Sequence, residues 1–406
     1  MEIRPIFASL NKHRIPTLLI VLEIALACAV LCNAVFMISG RVNAMRLSNA
    51  IDQHGIVDIS VQGLDDKMAA SDIPRNLAAL RAIAGVESAA VTHTLPLSHN
   101  NWGWSFGLTP DSSITDQHNT NVSLYFVGGD ADKALGLQVK QGRFFDSSEY
   151  ADATIGNAAL PSTHVVVVTE TLAKALWPGQ SALGKTIYSK PYYFTVVGVV
   201  ADVLRPQVYV QDVPLSYYDA FFPAGTDPVL HYYVMRVAPA DRDRVMREAI
   251  DKLQALNPQA VVEGSTFDSI RDQFFANAKS MVWILVLVCA VMLAVTAFGI
   301  VGLTSFWVGQ RRQQIGIRRA VGATRGDIMR YFRTENFLLS SAGIVVGMAL
   351  AFGINLYLMR HYEMDRMPWY YLPGGAIALW LIGQLSVSGP AQRAAAVPPV
   401  VATRAA

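Results

Sequence analysis

Four long apolar segments stand out from an otherwise mixed pattern of hydrophobic and polar residues. They are Thr17–Ser39, Met281–Val308, Phe337–Met359 and Leu372–Ser388. A transmembrane helix needs about 20 mostly apolar residues. The last segment is the shortest and contains Pro373 and Gln384. We predict an α-helical membrane protein with four transmembrane helices and a large α+β extracytoplasmic domain between the first and second.

The first apolar segment has two interpretations. Arg4, Lys12 and Arg14 precede it, as basic residues precede the apolar core of a cleaved signal peptide. The segment is longer than that core, which has about 7–15 residues, and no clear cleavage motif ends it. An uncleaved membrane anchor is therefore favoured over a cleaved leader.

The distribution of arginines predicts the orientation of the chain in the membrane. The segment between the second and third apolar stretches carries seven: Arg311, Arg312, Arg318, Arg319, Arg325, Arg330 and Arg333. The two ends of the chain are also basic, whereas the short loop after the third stretch offsets Arg360 and Arg366 with Glu363 and Asp365. Loops rich in Lys and Arg stay in the cytoplasm. We predict a multi-pass protein of the bacterial inner membrane with both termini cytoplasmic.

These features predict the following organisation, by residue number. The N-terminus (1–16), a coupling loop (309–336) and the tail (389–406) are cytoplasmic. The transmembrane helices are 17–39, 280–308, 337–359 and 372–388, and 360–371 is a short external loop. The periplasmic domain is 40–279.

Both ends of the long domain show a strand, a helix and a strand. The first set is expected at 56–61, 71–84 and 87–94, and the second at 231–237, 240–256 and 259–263. Two such βαβ units predict a ferredoxin-like lobe made of 45–95 and 231–268. Residues 96–230 are then an inserted, β-rich lobe.

Composition supports a membrane protein and excludes one class of partner. Charged residues make up 16% and hydrophobic residues 52%, with a mean hydropathy of +0.31, whereas soluble chains have roughly 25% charged residues. The net charge of +2 is too small for a dedicated nucleic-acid binder. We expect no nucleic-acid partner.

A phosphate-loop pattern, G-x-x-x-x-G-K-T, covers Gly179–Thr186. Phosphate binding requires a strand before the first glycine and a helix after the lysine. Here a short helix over 170–177 precedes the pattern and strands follow it. We interpret the pattern as a turn bounded by glycines.

No catalytic, cofactor or metal site is predicted. The eight histidines are scattered, and His93 and His99 are expected in surface loops. Cys28 and Cys32 are expected to pack as small hydrophobic residues. Three aromatic residues, Trp102, Trp104 and Phe106, fit core packing better than an exposed contact.

The most informative segment is the arginine-rich loop. Apolar residues alternate with arginines there, which is typical of a short amphipathic helix docked in a partner's groove or lying on a membrane. A basic topology signal is the simpler alternative. The candidate coupling residues are Ile315, Gly316, Ile317, Arg318, Arg319, Ala320, Val321, Gly322 and Ala323.

The chain resembles the FtsX-like permeases, specifically the MacB-type permeases of ABC transporters. The motifs are I-G-I-R-R-A-V-G-A at 315–323, Glu335 at the third helix, and a tail with Pro390-Ala391, Arg393-Ala394, Pro398 and Arg404. The long domain adds Gly136-Leu137, Gly142-Arg143, Pro178-Gly179, Gly184-Lys185-Thr186 and V-V-G-V-V-x-D at 196–202. Gln314 departs from the family, which usually has Glu there.

The resemblance implies a non-catalytic permease subunit without a cofactor. It implies a separate cytoplasmic ATPase and a dimer with a second copy or a paralogue, surrounded by membrane lipid. Periplasmic adaptors work with some members. The expected activity is to convert ATP-driven motion into movement of the periplasmic domain, for efflux or extraction of a substrate, with the first two helices as levers.

Two features inside the helices are candidates for coupling and packing. Glu23 is the one ionisable residue deep in a predicted span, and such residues often mark functional positions. Gly343, Gly347 and Ala351 repeat every four residues, which lets helices approach closely. This stripe would serve packing within the chain or between two copies.

Two other functions remain as alternatives. A membrane-anchored sensor would bind a peptide or envelope ligand, but no cytoplasmic signalling domain is apparent. A membrane-bound hydrolase would need a nucleophile or metal constellation, which the motifs do not provide.

Overall fold

The computed structural model describes residues 14–151, 153–155, 160–208, 212–362 and 366–396. The chain forms two compact units. One, the inter-span domain, is Asn43–Asn277, and the other, the membrane unit, comprises Met1–Val42 and Ala278–Ala406. Several residues used above for topology and family likeness lie outside the described residues: Arg4, Lys12, Glu363, Asp365, Pro398 and Arg404.

The helices, in chain order, are α1 (Arg14–Met45), α2 (Ala69–Arg81), α3 (Ala131–Leu135), α4 (Ser147–Ala151), α5 (Glu170–Leu176), α6 (Arg242–Leu256), α7 (Phe267–Gln310), α8 (Arg312–Ala320), α9 (Arg325–Tyr362) and α10 (Tyr371–Ala395). The strands are β1 (Ile56–Gln62), β2 (Val86–Thr92), β3 (Gly103–Phe106), β4 (Thr120–Gly129), β5 (Val139–Gly142), β6 (Val165–Thr169), β7 (Thr186–Ser189), β8 (Tyr192–Val200), β9 (Asp219–Pro223), β10 (Tyr232–Val237) and β11 (Val261–Thr266).

Four helices in the described part of the chain, α1, α7, α9 and α10, are long and apolar enough to cross a membrane. We call them spans 1 to 4, and they confirm the predicted fold class. Each is longer than its apolar segment. Span 2, for example, begins at Phe267 rather than near Met281, because residues of mixed polarity continue the helix. Apolarity therefore located the spans but not their ends.

The small-residue stripe of span 3 packs on span 1. A Cβ added at Gly347 would lie 2.5 Å from Cys28 Cβ, and one at Gly343 would lie 2.8 Å from Ile24 Cβ. Ala351 is fully buried, and its carbonyl accepts a hydrogen bond of 3.2 Å from Asn33 Nδ2. The stripe thus brings two helices of the same chain into close contact.

The start and end of the inter-span domain form a four-stranded antiparallel sheet in the order β11-β1-β10-β2. Helices α2 and α6 are the crossovers of its two βαβ units and pack against it. This order and these two helices are the ferredoxin-like arrangement that the sequence predicts.

The insertion between β2 and β10 extends the same sheet. Strand β4 pairs with β2 over the short register Ala90↔Gly129 to Thr92↔Val127, and the order continues through β9, β6, β8 and β5. Two of these pairings, β4 with β9 and β6 with β8, are parallel. The β-rich insertion is therefore present, and it forms one continuous sheet with the ferredoxin-like strands.

The aromatic residues of β3 and the preceding loop divide between core and surface. Phe106 is fully buried, and Trp104 donates a hydrogen bond of 2.8 Å from Nε1 to Ser189 Oγ. Trp102 remains exposed but packs edge-on against Phe126, with ring centroids 5.8 Å apart. Core packing accounts for two of the three.

His93 does not lie in a surface loop, and that expectation is wrong. Its side chain is buried next to Phe126, and its Nδ1 accepts a hydrogen bond of 3.0 Å from the Phe126 backbone N–H. Burial lowers the pKa of His93 to about 3. His93 is thus neutral in the folded domain. His99 is exposed, as expected, and stacks on Phe274.

The close contact at Gly347 predicts a packing defect. Gly347→Ala places a methyl group against Cys28 and Ala25, so spans 1 and 3 must separate, at a cost of about 1–3 kcal/mol. Gly353→Ala on the same helix is the matched control, because nothing among the described residues lies within 4 Å of its added Cβ. The melting temperature of the full chain in detergent should fall for Gly347→Ala and not for Gly353→Ala. Equal melting temperatures for the two variants would contradict this packing.

Buried neutral His93 predicts an acid-sensitive fold. The unfolded chain binds a proton near pH 6.5 whereas the folded chain does not until about pH 3, so stability falls as pH drops between these values. Between pH 7 and 5 this amounts to about 2 kcal/mol, or roughly 4–8 °C in melting temperature. The glutamine of His93→Gln does not titrate, so this variant should lose less stability than the wild type between pH 7 and 5. An equal loss of stability in the two proteins would refute the buried, neutral state of His93.

Candidate functional site

The arginine-rich loop between spans 2 and 3 contains a short helix, α8, followed by a tight turn. Gly322 ends the helix with a φ of +106°, which favours glycine over other residues. The Gly322 N–H bonds to the Arg319 carbonyl at 3.2 Å, and the Ala323 N–H bonds to the Arg318 carbonyl at 3.0 Å. This is the pair of bonds of a Schellman motif. No atom crowds the Gly322 position among the described residues, so the backbone conformation alone requires glycine there.

Span 3 starts immediately after the turn with a reciprocal cap. The Thr324 backbone N–H donates to Asp327 Oδ2 at 3.0 Å, and the Asp327 N–H donates to Thr324 Oγ1 at 3.2 Å. Such a capping box satisfies two backbone donors that the helix leaves free. The direction of the chain is therefore fixed on both sides of the turn.

The candidate apolar residues of α8 point in opposite directions. Ile315 is 5% exposed and packs in one cluster with Ile328 and Phe332 of span 3. Ile317 is 51% exposed and Val321 is 84% exposed. The expectation that all three are available to a partner is thus wrong for Ile315. Residues two apart on a helix face opposite sides, so the buried Ile315 anchors the helix that presents Ile317.

The other candidate residues divide in the same way. Gly316 is buried and Ala323 is half-buried, whereas Ala320 is exposed. Arg319 Nη1 donates a hydrogen bond of 3.1 Å to the Ala395 carbonyl at the end of span 4. The Arg318 guanidinium lies 5.1 Å from the ring centre of Tyr331, and its side chain remains exposed. Arg318 and Arg319 thus connect the helix to spans 3 and 4.

A buried ion pair joins the loop to span 3. Arg311 Nη1 lies 3.1 Å from both carboxylate oxygens of Glu335. The Glu335 side chain is 2% exposed and that of Arg311 13%. The guanidinium also lies 5.5 Å from the ring centre of Trp307. Sequence reasoning identified both charged residues but not their pairing, because they are far apart in the chain.

A small cavity of about 130 Å³ lies between α8 and span 3. It is lined by Arg311, Gln314, Ile315, Arg318, Ile328, Tyr331 and Phe332. Gln314, where the family usually has Glu, is therefore beside two arginines. A neutral amide at this position leaves more net positive charge around the cavity than a carboxylate would.

Glu23 is half-buried in span 1 and faces span 2. A Cβ added at Gly299 would lie 2.6 Å from Glu23 Oε2. Gly299 thus provides the space for this carboxyl group. The sequence analysis did not identify Gly299. The one feature of the sequence that marks this position is a glycine within an otherwise apolar helix.

The phosphate-loop pattern lies on a turn of the inter-span domain. Helix α5 precedes it and strand β7 follows it, the order that the sequence indicates. Gly179 and Gly184 both have positive φ, and Lys185 Nζ lies 5.7 Å from the ring centre of Trp177. No helix begins at Lys185, so its backbone donors do not form the helix N-terminus that phosphate binding uses.

The described residues show no candidate metal site. They contain no group of three or more His, Cys, Asp and Glu side chains that could hold a metal ion.

Comparisons with known proteins agree with the family-like motifs. Residues 17–253 match the model of the MacB-like periplasmic core domain, and residues 286–399 match the FtsX-like permease C-terminal model. The macrolide export ATP-binding/permease protein MacB of Sodalis glossinidius is 23% identical over 97% of this chain and 59% of its own length. The permease YknZ of Bacillus subtilis, described as uncharacterized, is 24% identical over 66% of each chain.

The lengths of the relatives differ from that of this chain. The chain covers only 39% of the MacB protein of Neisseria gonorrhoeae, at 24% identity over 64% of this chain. A solved structure, the periplasmic region of MacB from Actinobacillus actinomycetemcomitans, aligns with a TM-score of 0.37 and 16% identity over 54% of this chain and 92% of that one.

Because the periplasmic core model matches more than half of the chain and the permease model matches spans 2 to 4, the chain belongs to the MacB-like, FtsX-like family of ABC transporter permeases, which are membrane proteins.

Proposed function

We propose that this chain is the permease subunit of an ABC transporter and docks on a separate cytoplasmic ATPase through α8 and its turn. ATP hydrolysis by the partner would then move the inter-span domain and drive efflux or extraction of a substrate. The observation that carries this proposal is the outward face of α8. It presents Ile317 and Val321, both more than half exposed, on a helix whose other face is fixed to the spans.

The chemistry of this face suits a protein groove. The helix that presents these two apolar side chains also carries exposed cationic residues, among them Arg318. An apolar contact supplies affinity when it is buried, and cationic residues around it favour a partner with acidic groups. A topology signal alone would need the arginines but not the exposed Ile317 and Val321, nor the Schellman turn that positions them.

The attachment of α8 supports transmission of force. Span 2 ends at Gln310 and α8 begins at Arg312, and the intervening Arg311 is held by buried Glu335. Displacement of α8 would therefore move the ends of spans 2 and 3 together. Span 2 extends back to Phe267 as one helix, and we propose it as a lever toward the inter-span domain.

The remaining parts of the assembly are also proposals. The names of the MacB relatives combine ATP binding and permease in one protein, whereas YknZ is named as a permease. We propose that this chain forms a dimer with a second copy or a paralogue in the bacterial inner membrane, with both termini cytoplasmic. A periplasmic adaptor would act on the inter-span domain.

Truncation of the outward face should weaken ATPase binding. Ile317→Ala removes apolar surface worth about 1–2 kcal/mol if the partner buries it, which lowers affinity about tenfold. Gly322→Val should be at least as harmful, since a β-branched residue disfavours the positive φ. The measurement is the amount of ABC ATPase that co-purifies with the tagged full-length chain, together with its ATP hydrolysis.

Ile114→Ala is the matched control for this experiment. It truncates an exposed isoleucine in the inter-span domain, so membrane insertion and ATPase binding should be unchanged. If Ile317→Ala and Gly322→Val both retain normal ATPase recovery and turnover, α8 is a topology signal and the coupling role is wrong.

Orientation can be tested with two matched cysteines. Gln117 in the inter-span domain and Gln313 in α8 are both exposed. In spheroplasts a membrane-impermeant thiol reagent should label Gln117→Cys, and Gln313→Cys only after lysis. The unsubstituted chain measures labelling of the native cysteines. The reverse pattern would invert the proposed topology.

A further inference from the structure

A groove beside the start of span 3 combines a cationic end with exposed apolar residues. Its volume is about 480 Å³, and it is lined by Gly326, Met329, Arg330, Arg333, Thr334, Phe337 and Gln384. All but Gln384 belong to span 3, and Gln384 belongs to span 4. The groove is thus a feature of two neighbouring spans, on a different side of span 3 from the cavity under α8.

The cationic end is formed by Arg330 and Arg333. They are three residues apart, so they lie on the same side of the helix, and both are exposed. Arg333 Nη2 donates a hydrogen bond of 3.2 Å to Ser388 Oγ, and Gln384 Nε2 donates one of 3.2 Å to the Arg333 carbonyl. These bonds hold the two walls together.

The charge of this end is not balanced within the groove. None of its described lining residues is acidic. The nearest carboxylate along the helix, Asp327, accepts hydrogen bonds from Thr324 and also attracts Arg330 one turn further on, but it lies outside the wall of the groove. An anionic ligand would therefore meet two arginines without a competing carboxylate in the wall.

The other end of the groove is apolar. Phe337 follows Arg330 by seven residues, about 10 Å along a helix axis. It is 46% exposed and stacks on Trp380, with ring centroids 5.7 Å apart. Leu381 and Leu385 flank Gln384 on span 4 and are also exposed. Cationic and apolar surfaces thus meet where span 3 becomes apolar, the level at which lipid head groups meet hydrocarbon.

We propose that this groove binds an anionic phospholipid, with the phosphate on Arg330 and Arg333 and an acyl chain along Phe337, Leu381 and Leu385. Basic pockets between transmembrane helices are suited to anionic head groups. A free anion would use the arginines and leave the apolar end empty, so the two-part chemistry favours a lipid. The site does not involve α8 and does not depend on the proposed coupling role.

Native mass spectrometry of the delipidated full chain in detergent tests this site. The probes are phosphatidylglycerol and phosphatidylcholine of the same chain length. Both lipids carry a phosphate, but the choline cation of phosphatidylcholine cancels its charge, so phosphatidylglycerol should bind the two arginines about 30-fold more tightly. The double variant Arg330→Gln/Arg333→Gln should bring the two lipids within about threefold of each other. Arg312→Gln, which removes an exposed arginine outside the groove, should keep the full preference.

Three results would overturn the proposal. They are equal binding of the two lipids by the wild type, an undiminished preference in the double variant, and displacement of phosphatidylglycerol by inorganic phosphate as effectively as by the lipid itself. The last result would identify a phosphate site without a lipid role. If the double variant misfolds, Arg330→Gln is the variant to use, because the hydrogen bonds that join the two walls involve Arg333 and not the Arg330 side chain. This single variant should lose about half of the preference for phosphatidylglycerol on a logarithmic scale.

Discussion

The ion pair between Arg311 and Glu335 is the interaction on which the arrangement of the loop depends. It joins the residue that follows span 2 to span 3, at a point where the carboxylate is almost fully buried. Removing one partner of such a pair leaves a buried charge uncompensated, which costs about 3–5 kcal/mol. The contact of Arg311 Nη1 with both carboxylate oxygens, together with Trp307 against the guanidinium, also fixes the direction in which the chain leaves span 2. Helix α8 begins at the next residue.

From this fixed point, packing decides which face of α8 is available. Ile315 is buried against span 3, and Arg319 bonds to the end of span 4, so one side of the helix belongs to the membrane unit. The Schellman turn at Gly322 and the capping box of Thr324 then return the chain into span 3. Ile317 and Val321 are left exposed because their positions on the helix offer no other packing. Their exposure follows from the anchoring, and it is what makes them candidates for a partner.

The sequence predicted the parts of the fold that local pattern determines. Apolar length located all four spans, and two strand-helix-strand patterns predicted the ferredoxin-like lobe. It did not predict the pairing of β2 with β4, which continues the sheet into the insertion, since a register of three residue pairs far apart in the chain leaves no local signal. His93 was misplaced for a related reason. Its burial depends on Phe126 from a distant strand.

Part of the candidate site could have been predicted better. Ile315 and Ile317 are two residues apart, so a helix must separate them, and only one can face a partner. The sequence alone does not show which of the two isoleucines is buried, because the burial of Ile315 depends on its packing with Ile328 and Phe332 of span 3. The pairing of Arg311 with Glu335 was likewise hidden by its long sequence separation. In the same way, the stripe at Gly343 and Gly347 showed that some helix comes close, but only the structure identifies span 1.

Site-specific photo-crosslinking tests the central claim that the outward face of α8 contacts the ATPase. A photoreactive amino acid at Val321, the most exposed residue of this face, should give an adduct with the ABC ATPase in the intact complex. The same amino acid at Val261, an exposed valine of the inter-span domain, is the matched control and should give none. A complex that contains the ATPase yet yields no adduct from Val321 would contradict the account.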